Sequence, residues 1–371
     1  MTSQYNAENE RTKRRYHEYL RAAKGYDTAT IDAAIKAICL FERETGHRPF
    51  KSFHIAQPQA FKRRLAASTN TRTGKPLSKS TISQTLKAIQ KFFFWLADQP
   101  GFRSRITYAD CEYFTPDRRD TLSIATAFSR PVPTLEQIRH VIALMPGDTE
   151  LERRDRAIVA FTILTGVRDG ALISLRMKHI DGPARRVLQD GAEVHTKAGK
   201  SIETFYFPVG EEIEAVVVDW LDYLRTEKLF GSEDPVFPRT MVTRGDKGFR
   251  ADGIAREPWK TADSVRRIFR TAFEAAGLPP VNPHSFRHTL GQHGERLCRT
   301  AEEFKAWSQN LGHENTNTTF NSYGRVAPHR QAELIGGLVR SHDATMTGDS
   351  ELDVLAIKLA AHLEARQSTR D

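Results

Sequence analysis

The sequence predicts a mainly α protein with a small antiparallel β-sheet, an α+β chain of two domains. Three observations predict it. Apolar residues recur every three or four positions through most of the chain, the period of amphipathic helices. Two short strand-like runs in the second half flank a turn rich in Lys and Gly. The length, 371 residues, exceeds one domain at a prior of ~150 residues each.

In chain order, Ile31, Ala34, Ile35 and Ile38 recur at helical spacing before Gly46. Ile82, Leu86, Ile89, Phe93 and Leu96 do so before Pro100 and Gly101, with Ser78 or Ser80 as N-cap. The aromatic run Phe92, Phe93, Phe94 and Trp95 lies in that second helix, and its spacing assigns it to the core in preference to base stacking. Residues 115–133 carry three prolines and no clear period, which makes them a linker. Thr134 with Gln137 three residues on is a capping box that opens the second domain. Helices are expected over 156–164, 170–177, 211–225 and 263–276, with strands around 186–196 and 203–208. A last amphipathic helix, 352–365, presents Leu352, Leu355, Leu359 and Leu363 after a polar stretch. The expected organisation is therefore a basic helical domain over 1–125 with linker to about 133, a second domain over 134–340, and a tail over 341–371.

Composition excludes several classes. With 39% apolar and 27% charged residues, 17 Pro and 23 Gly, the chain can bury cores and is neither disordered nor fibrous. Its apolar runs are shorter than the ~20 residues that span a bilayer, and its polar, Arg-rich start lacks a signal-peptide core. No membrane association is expected. Cys39, Cys111 and Cys298 are too scattered for a disulfide framework or a Cys-based metal site, which fits a cytoplasmic location.

Charge divides the chain. Residues 1–130 hold 23 Lys and Arg against 12 Asp and Glu, whereas the remainder holds 32 against 34. From Thr45 to Ala97 there is no acidic residue, while ten Lys and Arg occur, among them Arg63, Arg64, Lys75, Lys79, Lys87 and Lys91. Such a stretch repels itself unless a polyanion is bound. Nucleic acid is the expected partner, with those six residues as candidate phosphate contacts.

Four segments of the second domain concentrate reactive side chains. Thr165-Gly166-Val167-Arg168 ends one apolar helix. Thr196-Lys197-Ala198-Gly199-Lys200 joins the two strand-like runs. Pro283-His284-Ser285-Phe286-Arg287-His288 puts His284, Arg287 and His288 on neighbouring turns of one helix. Leu311-Gly312-His313 is followed ten residues on by Tyr323. His284 and His288 have the spacing of zinc-binding helices, but Ser285 stands where that motif needs a Glu base and no third ligand is indicated. No metal and no cofactor is expected.

The order and spacing of these four segments resemble the tyrosine recombinase family, the phage-integrase type of site-specific recombinase. The resemblance covers about 134–326, and the basic N-terminal part resembles the family's core-binding domain. It implies Arg168, Lys197, His284, Arg287, His313 and Tyr323 as catalytic residues, with Lys200 the alternative to Lys197. Two departures stand out. Ala171 occupies a position, three after the first Arg, that is commonly acidic in the family, with Asp169 a nearby substitute. The interval from His313 to Tyr323 is ten residues where nine is usual.

The resemblance further implies attack of Tyr323 on a phosphodiester, a 3′-phosphotyrosyl link and a free 5′-hydroxyl, with neither metal nor ATP. Arg168 and Arg287 would stabilise charge on the non-bridging oxygens. His284 would take the phenol proton, His313 would donate to a phosphate oxygen and Lys197 would protonate the leaving 5′-oxygen. The implied partners are double-stranded DNA with specific recombination sites, three further copies in a homotetramer on DNA, and accessory DNA-bending proteins. The alternatives are a type IB topoisomerase and a non-catalytic DNA-binding or accessory protein on the same fold.

Overall fold

The structure, a computed structural model, describes residues 5–71, 73–121, 132–245 and 248–313. Internal packing divides the chain into two units, Met1–Ser129 and Arg130–Asp371. Among the described residues the chain is mainly helical with two small antiparallel sheets. No described helix is long and apolar enough to cross a membrane.

The first unit is built from α1 (Ala7–Glu18), α2 (Thr28–Glu44), α3 (Ala56–Ala67), α4 (Lys79–Ala97) and the short α5 (Tyr108–Cys111). Ser78 caps α4, its hydroxyl accepting from the Thr81 N–H at 3.1 Å. α4 buries Leu86, Ile89, Phe92, Phe93 and Leu96, which meet Phe41 of α2 and Phe61 of α3. Phe41 makes edge-to-face contacts with Phe61, Phe93 and Phe114 at centroid separations of 5.3, 5.4 and 5.3 Å. The aromatic run divides: Phe92 and Phe93 are core, and Phe94 and Trp95 pack half-buried at its edge. α1 is fastened to α2 by a buried polar group, in which Lys13 Nζ lies 2.6 Å from Glu42 Oε2 and the Asn9 amide donates to Glu42 Oε1 at 2.9 Å. A paired charge is tolerated there because each partner satisfies the other.

The second unit opens with α6 (Leu135–Leu144), capped by the reciprocal Thr134–Gln137 box. Next come α7 (Glu150–Thr165), the single-turn α8 (Asp169–Leu172), α9 (Glu211–Thr226), α10 (Asp263–Ala275), α11 (Pro283–Leu297) and α12 (Ala301–Asn310). α7 is buried on nearly all sides from Ala157 to Thr165, so it is the central rod about which the other helices pack. One sheet has the order β1-β2-β3, from β1 (Ile180–Asp181), β2 (Arg186–Gln189) and β3 (Ile202–Phe205), with Val187 opposite Thr204. β2 stops well short of residue 196. Asp190 turns the chain, its carbonyl accepting from the Val194 N–H at 2.7 Å and its carboxylate from the Ala192 N–H at 3.0 Å. The helix expected over 170–177 is likewise only α8 followed by a 3₁₀ turn at Met177–His179. A second sheet, not foreseen from the sequence, is the hairpin β4 (Thr240–Gly245) and β5 (Gly248–Ile254).

Candidate active site

The site begins where α7 ends. Gly166 caps the helix in the left-handed region at φ 62°, a conformation that favours glycine. Space demands glycine as well, because a Cβ there would lie 2.9 Å from Leu311 Cδ2 and 3.0 Å from Leu290 Cδ1. The turn buries Val167 and leaves Arg168, half-buried, as the N-cap of α8. Partial desolvation lowers the Arg168 pKa from its ordinary value. Among the described residues no carboxylate forms an ion pair with Arg168; Asp169 beside it is paired with Arg266 of α10, Oδ2 to Nε at 2.8 Å. Asp169 therefore does not act as a counter-ion for Arg168, and Ala171, 1% exposed, belongs to the core.

α11 supplies the second arginine. Asn282 caps this helix by accepting from the Ser285 N–H, and Pro283 occupies its first turn, where its missing N–H costs nothing. This starts the helix so that His284 sits in the first turn and Arg287 one turn deeper. Arg287 is 6% exposed. Its guanidinium donates through Nη1 to the Gly166 carbonyl and through Nη2 to the Leu311 carbonyl. It also lies 3.0 Å from His313 Nε2. One side chain thus joins three segments that are distant in sequence.

The third segment is held from the other side. α12 ends at Asn310; its C-cap Leu311 is buried against Gly166, and Gly312 turns the chain at φ 68°. The preceding Asn310 acts as a piece of strand: its amide donates to Phe205 O at 2.9 Å and accepts from the Phe205 N–H at 2.7 Å. This fixes the α12 end to β3 and delivers His313 to Arg287.

Burial, Arg287 and Arg168, in that order, with His284 and His288 adding to them, push the His313 pKa down to about 4. His284 is lowered by partial desolvation first, then by His288, Arg287 and Arg168, with Asp169 pulling the other way. Both imidazoles are therefore neutral at pH 7, each under the electrostatic influence of two guanidiniums. The His284 and His288 rings meet edge to face at 5.1 Å. No cluster of three or more potential metal ligands occurs among the described residues.

Arg168, His284, Arg287 and His313 are thus gathered in one place. Lys197 and Lys200 are exposed on the loop that joins β2 and β3. That loop runs next to α8, where the His195 N–H donates to Ser174 Oγ at 2.9 Å and the Gly170 Cα faces the His195 carbonyl. Tyr323 and the helix expected over 352–365 lie outside the described residues. In the first unit, Arg63, Lys75, Lys87 and Lys91 are exposed. Arg64 is paired with Glu44 at 3.0 Å and Lys79 with Asp120 at 2.9 Å. Sequence reasoning missed Arg266 and Asn310, whose roles depend on contacts 97 and 105 residues away.

Comparison with known proteins agrees with this geometry. The sequence profile of the Phage integrase family matches residues 134–330. Tyrosine recombinase XerC of Lactobacillus delbrueckii subsp. bulgaricus is 25% identical over 247 residues, 67% of this chain and 72% of the relative. Tyrosine recombinase XerC of Escherichia coli O157:H7 is 24% identical over 310 residues, 82% and 88% of the two chains. Among solved structures, a lambda integrase dimer bound to a COC′ core site superposes with a TM-score of 0.58 at 15% identity, over 85% of this chain and 94% of that one. The Tn1549 transposon integrase in complex with transposon right-end DNA gives 0.55 at 15% identity, over 88% and 99%. These two likenesses are of fold. The family match covers more than half of the chain, and with it the TGVR, HxxR and LGH segments that Arg287 ties together: the chain belongs to the phage integrase family, the tyrosine recombinases.

Proposed function

We propose that the protein is a site-specific DNA recombinase that cuts and rejoins DNA through a 3′-phosphotyrosyl intermediate on Tyr323. The observation that carries this reading is the Arg287 guanidinium joining Gly166, Leu311 and His313, with Arg168 beside it. Two guanidiniums and two neutral imidazoles in one half-buried site suit a phosphodiester in transition. Charge grows on the non-bridging oxygens, and arginines fixed beforehand stabilise it without reorganising. A neutral His284 can accept the Tyr323 phenol proton, which a protonated one could not. His313 can donate to a phosphate oxygen. Lys197, on its exposed loop, is the acid for the departing 5′-oxygen, with Lys200 the alternative.

The bond energy of the cleaved phosphodiester is kept in the protein–DNA ester, so a second 5′-hydroxyl can reverse the step with neither ATP nor a metal. On this reading 1–125 with its linker is the core-binding domain, 134–340 the catalytic domain, and 341–371 a tail whose amphipathic helix docks either on its own domain or on a neighbouring copy. The partners are duplex DNA bearing specific sites and three further copies, and the site of action is the cytoplasm.

The test is trapping. A nicked suicide substrate loses the short strand that carries the attacking 5′-hydroxyl, so the protein–DNA ester accumulates as a denaturant-resistant complex. Wild type should form it in the presence of EDTA, and Tyr323→Phe should not. A complex that survives Tyr323→Phe refutes the nucleophile. Sequence-specific DNA binding with no complex from wild type supports the non-catalytic reading instead.

A further inference from the structure

The environment of Arg168 contains an unexpected arrangement. An aspartate follows it directly, yet the two do not pair. The same dipeptide occurs elsewhere in the chain with the opposite outcome: Arg154 and Asp155 are also adjacent, and there the guanidinium folds back onto the carboxylate at 2.7 Å. An Arg-Asp dipeptide at a helical turn can therefore close on itself in this protein. At Arg168 it does not: Asp169 Oδ2 lies instead at 2.8 Å from Arg266 Nε, and its Oδ1 accepts from the Gly170 N–H at 2.9 Å. Arg266 is oriented in turn by Asp263 one turn earlier on α10, at 3.1 Å.

We infer that Arg266 is a positioning residue that keeps Arg168 available to a phosphate by holding Asp169 away from it. This rests on the recombinase reading of the site. A guanidinium already bonded to a carboxylate presents less charge and fewer donors to an incoming anion, so a free Asp169 would compete with DNA for Arg168. Arg266 removes that competitor. It is suited to do so from outside, since its side chain is 51% exposed while that of Asp169 is 27% exposed. The pair also fixes the start of α8, the turn that aims Arg168, to α10. Ala171 fits the same picture: the position that is commonly acidic in the family is here closed into the core, and the nearest carboxylate is occupied by Arg266.

The decisive property is rescue, because a cation that contacts DNA itself cannot be replaced by deleting an acid. Adduct formation on a nicked suicide substrate should be timed for wild type, Arg266→Gln, Arg266→Lys, Asp169→Asn and the Arg266→Gln, Asp169→Asn double variant. Arg266→Gln should slow the step about ten-fold, and Arg266→Lys, which can still hold the carboxylate, should slow it less. The double variant should return to the rate of Asp169→Asn alone. A double variant as slow as Arg266→Gln overturns the inference and makes Arg266 a DNA contact or a packing residue; an unimpaired Arg266→Gln overturns it too.

If wild type forms no adduct, the recombinase reading fails while the inference stays testable through inorganic phosphate. Titrated by NMR, phosphate should bind Arg266→Gln more weakly than wild type and regain affinity in the double variant. Equal phosphate affinity in all three refutes it.

Discussion

The Nη2 of Arg287 and the Nε2 of His313 lie 3.0 Å apart, and only one of these atoms can accept. A guanidinium has donors alone, so His313 presents a lone pair at Nε2 and carries its single proton on Nδ1. Nitrogen-15 shifts of labelled protein should show Nε2 unprotonated and Nδ1 protonated, with a titration midpoint about 4. A midpoint above 6, or a proton on Nε2, would refute the assignment.

Stability should depend on pH through the same groups. His313 titrates at about 4 folded against 6.5 unfolded, and His284 is also lowered. Between those values the unfolded chain binds more protons than the folded one, so the contribution is complete above about pH 6.5 and is lost as pH falls toward 4. Urea midpoints measured from pH 7.5 to 4.5 should decline, and His313→Gln should flatten the decline. An unchanged slope in that variant would place the titration elsewhere.

DNA affinity should distinguish cations that the sequence alone treats alike. Arg64 and Lys79 already have carboxylate partners, whereas Arg63, Lys75, Lys87 and Lys91 are exposed. Neutralising these four should flatten the dependence of log K on log salt by about 0.9 for each phosphate that is no longer neutralised. Neutralising Arg64 and Lys79 should change it less. Equal effects from both sets would show that the ion pairs open on binding.

Lys197 should be rescued by a better leaving group. On the proposed reading, in which Lys197 acts only on the leaving group, Lys197→Ala should slow cleavage of ordinary DNA strongly with little loss of binding. With sulfur at the bridging 5′ position the departing thiolate needs no acid, and the variant should recover. Arg287→Ala should not, because the non-bridging oxygens are unaltered. Recovery of Lys200→Ala in place of Lys197→Ala would move the acid along the loop.

Much of the fold can be read from the chain because its helices advertise their ends. Ser78 before the Ile and Phe stripe of α4, and Thr134 with Gln137 before α6, are local signals whose partners lie three residues away. The β4–β5 hairpin escapes such reading because its strands are largely exposed and show no alternation of apolar residues. β2 is shorter than its apolar character suggests because Asp190 and Gly191 turn the chain. In the site, the charged side chains are legible as residue types at set intervals, but what binds them is not. Arg287 is held by the main-chain oxygens of Gly166 and Leu311, and α12 is held by the amide of Asn310, which carry no signature in a sequence pattern. The acid-free stretch reads as an uncompensated basic surface; Glu44 and Asp120, from outside it, compensate part of that charge.

Main-chain recognition by Arg287 also bears on how such a site can change over time. The carbonyl of residue 311 is present whatever side chain that residue bears, and the carbonyl of Gly166 is displaced only by a substitution that alters the turn. Mutational drift around the motifs therefore leaves the acceptors of Arg287 in place. The vulnerable positions are the ones that shape the backbone path, Gly166 and Gly312, where a side chain would collide with Leu311 or Ile202. A lineage carrying this pocket is free to vary most of its surroundings, but not the two glycines that bend the chain toward the arginine.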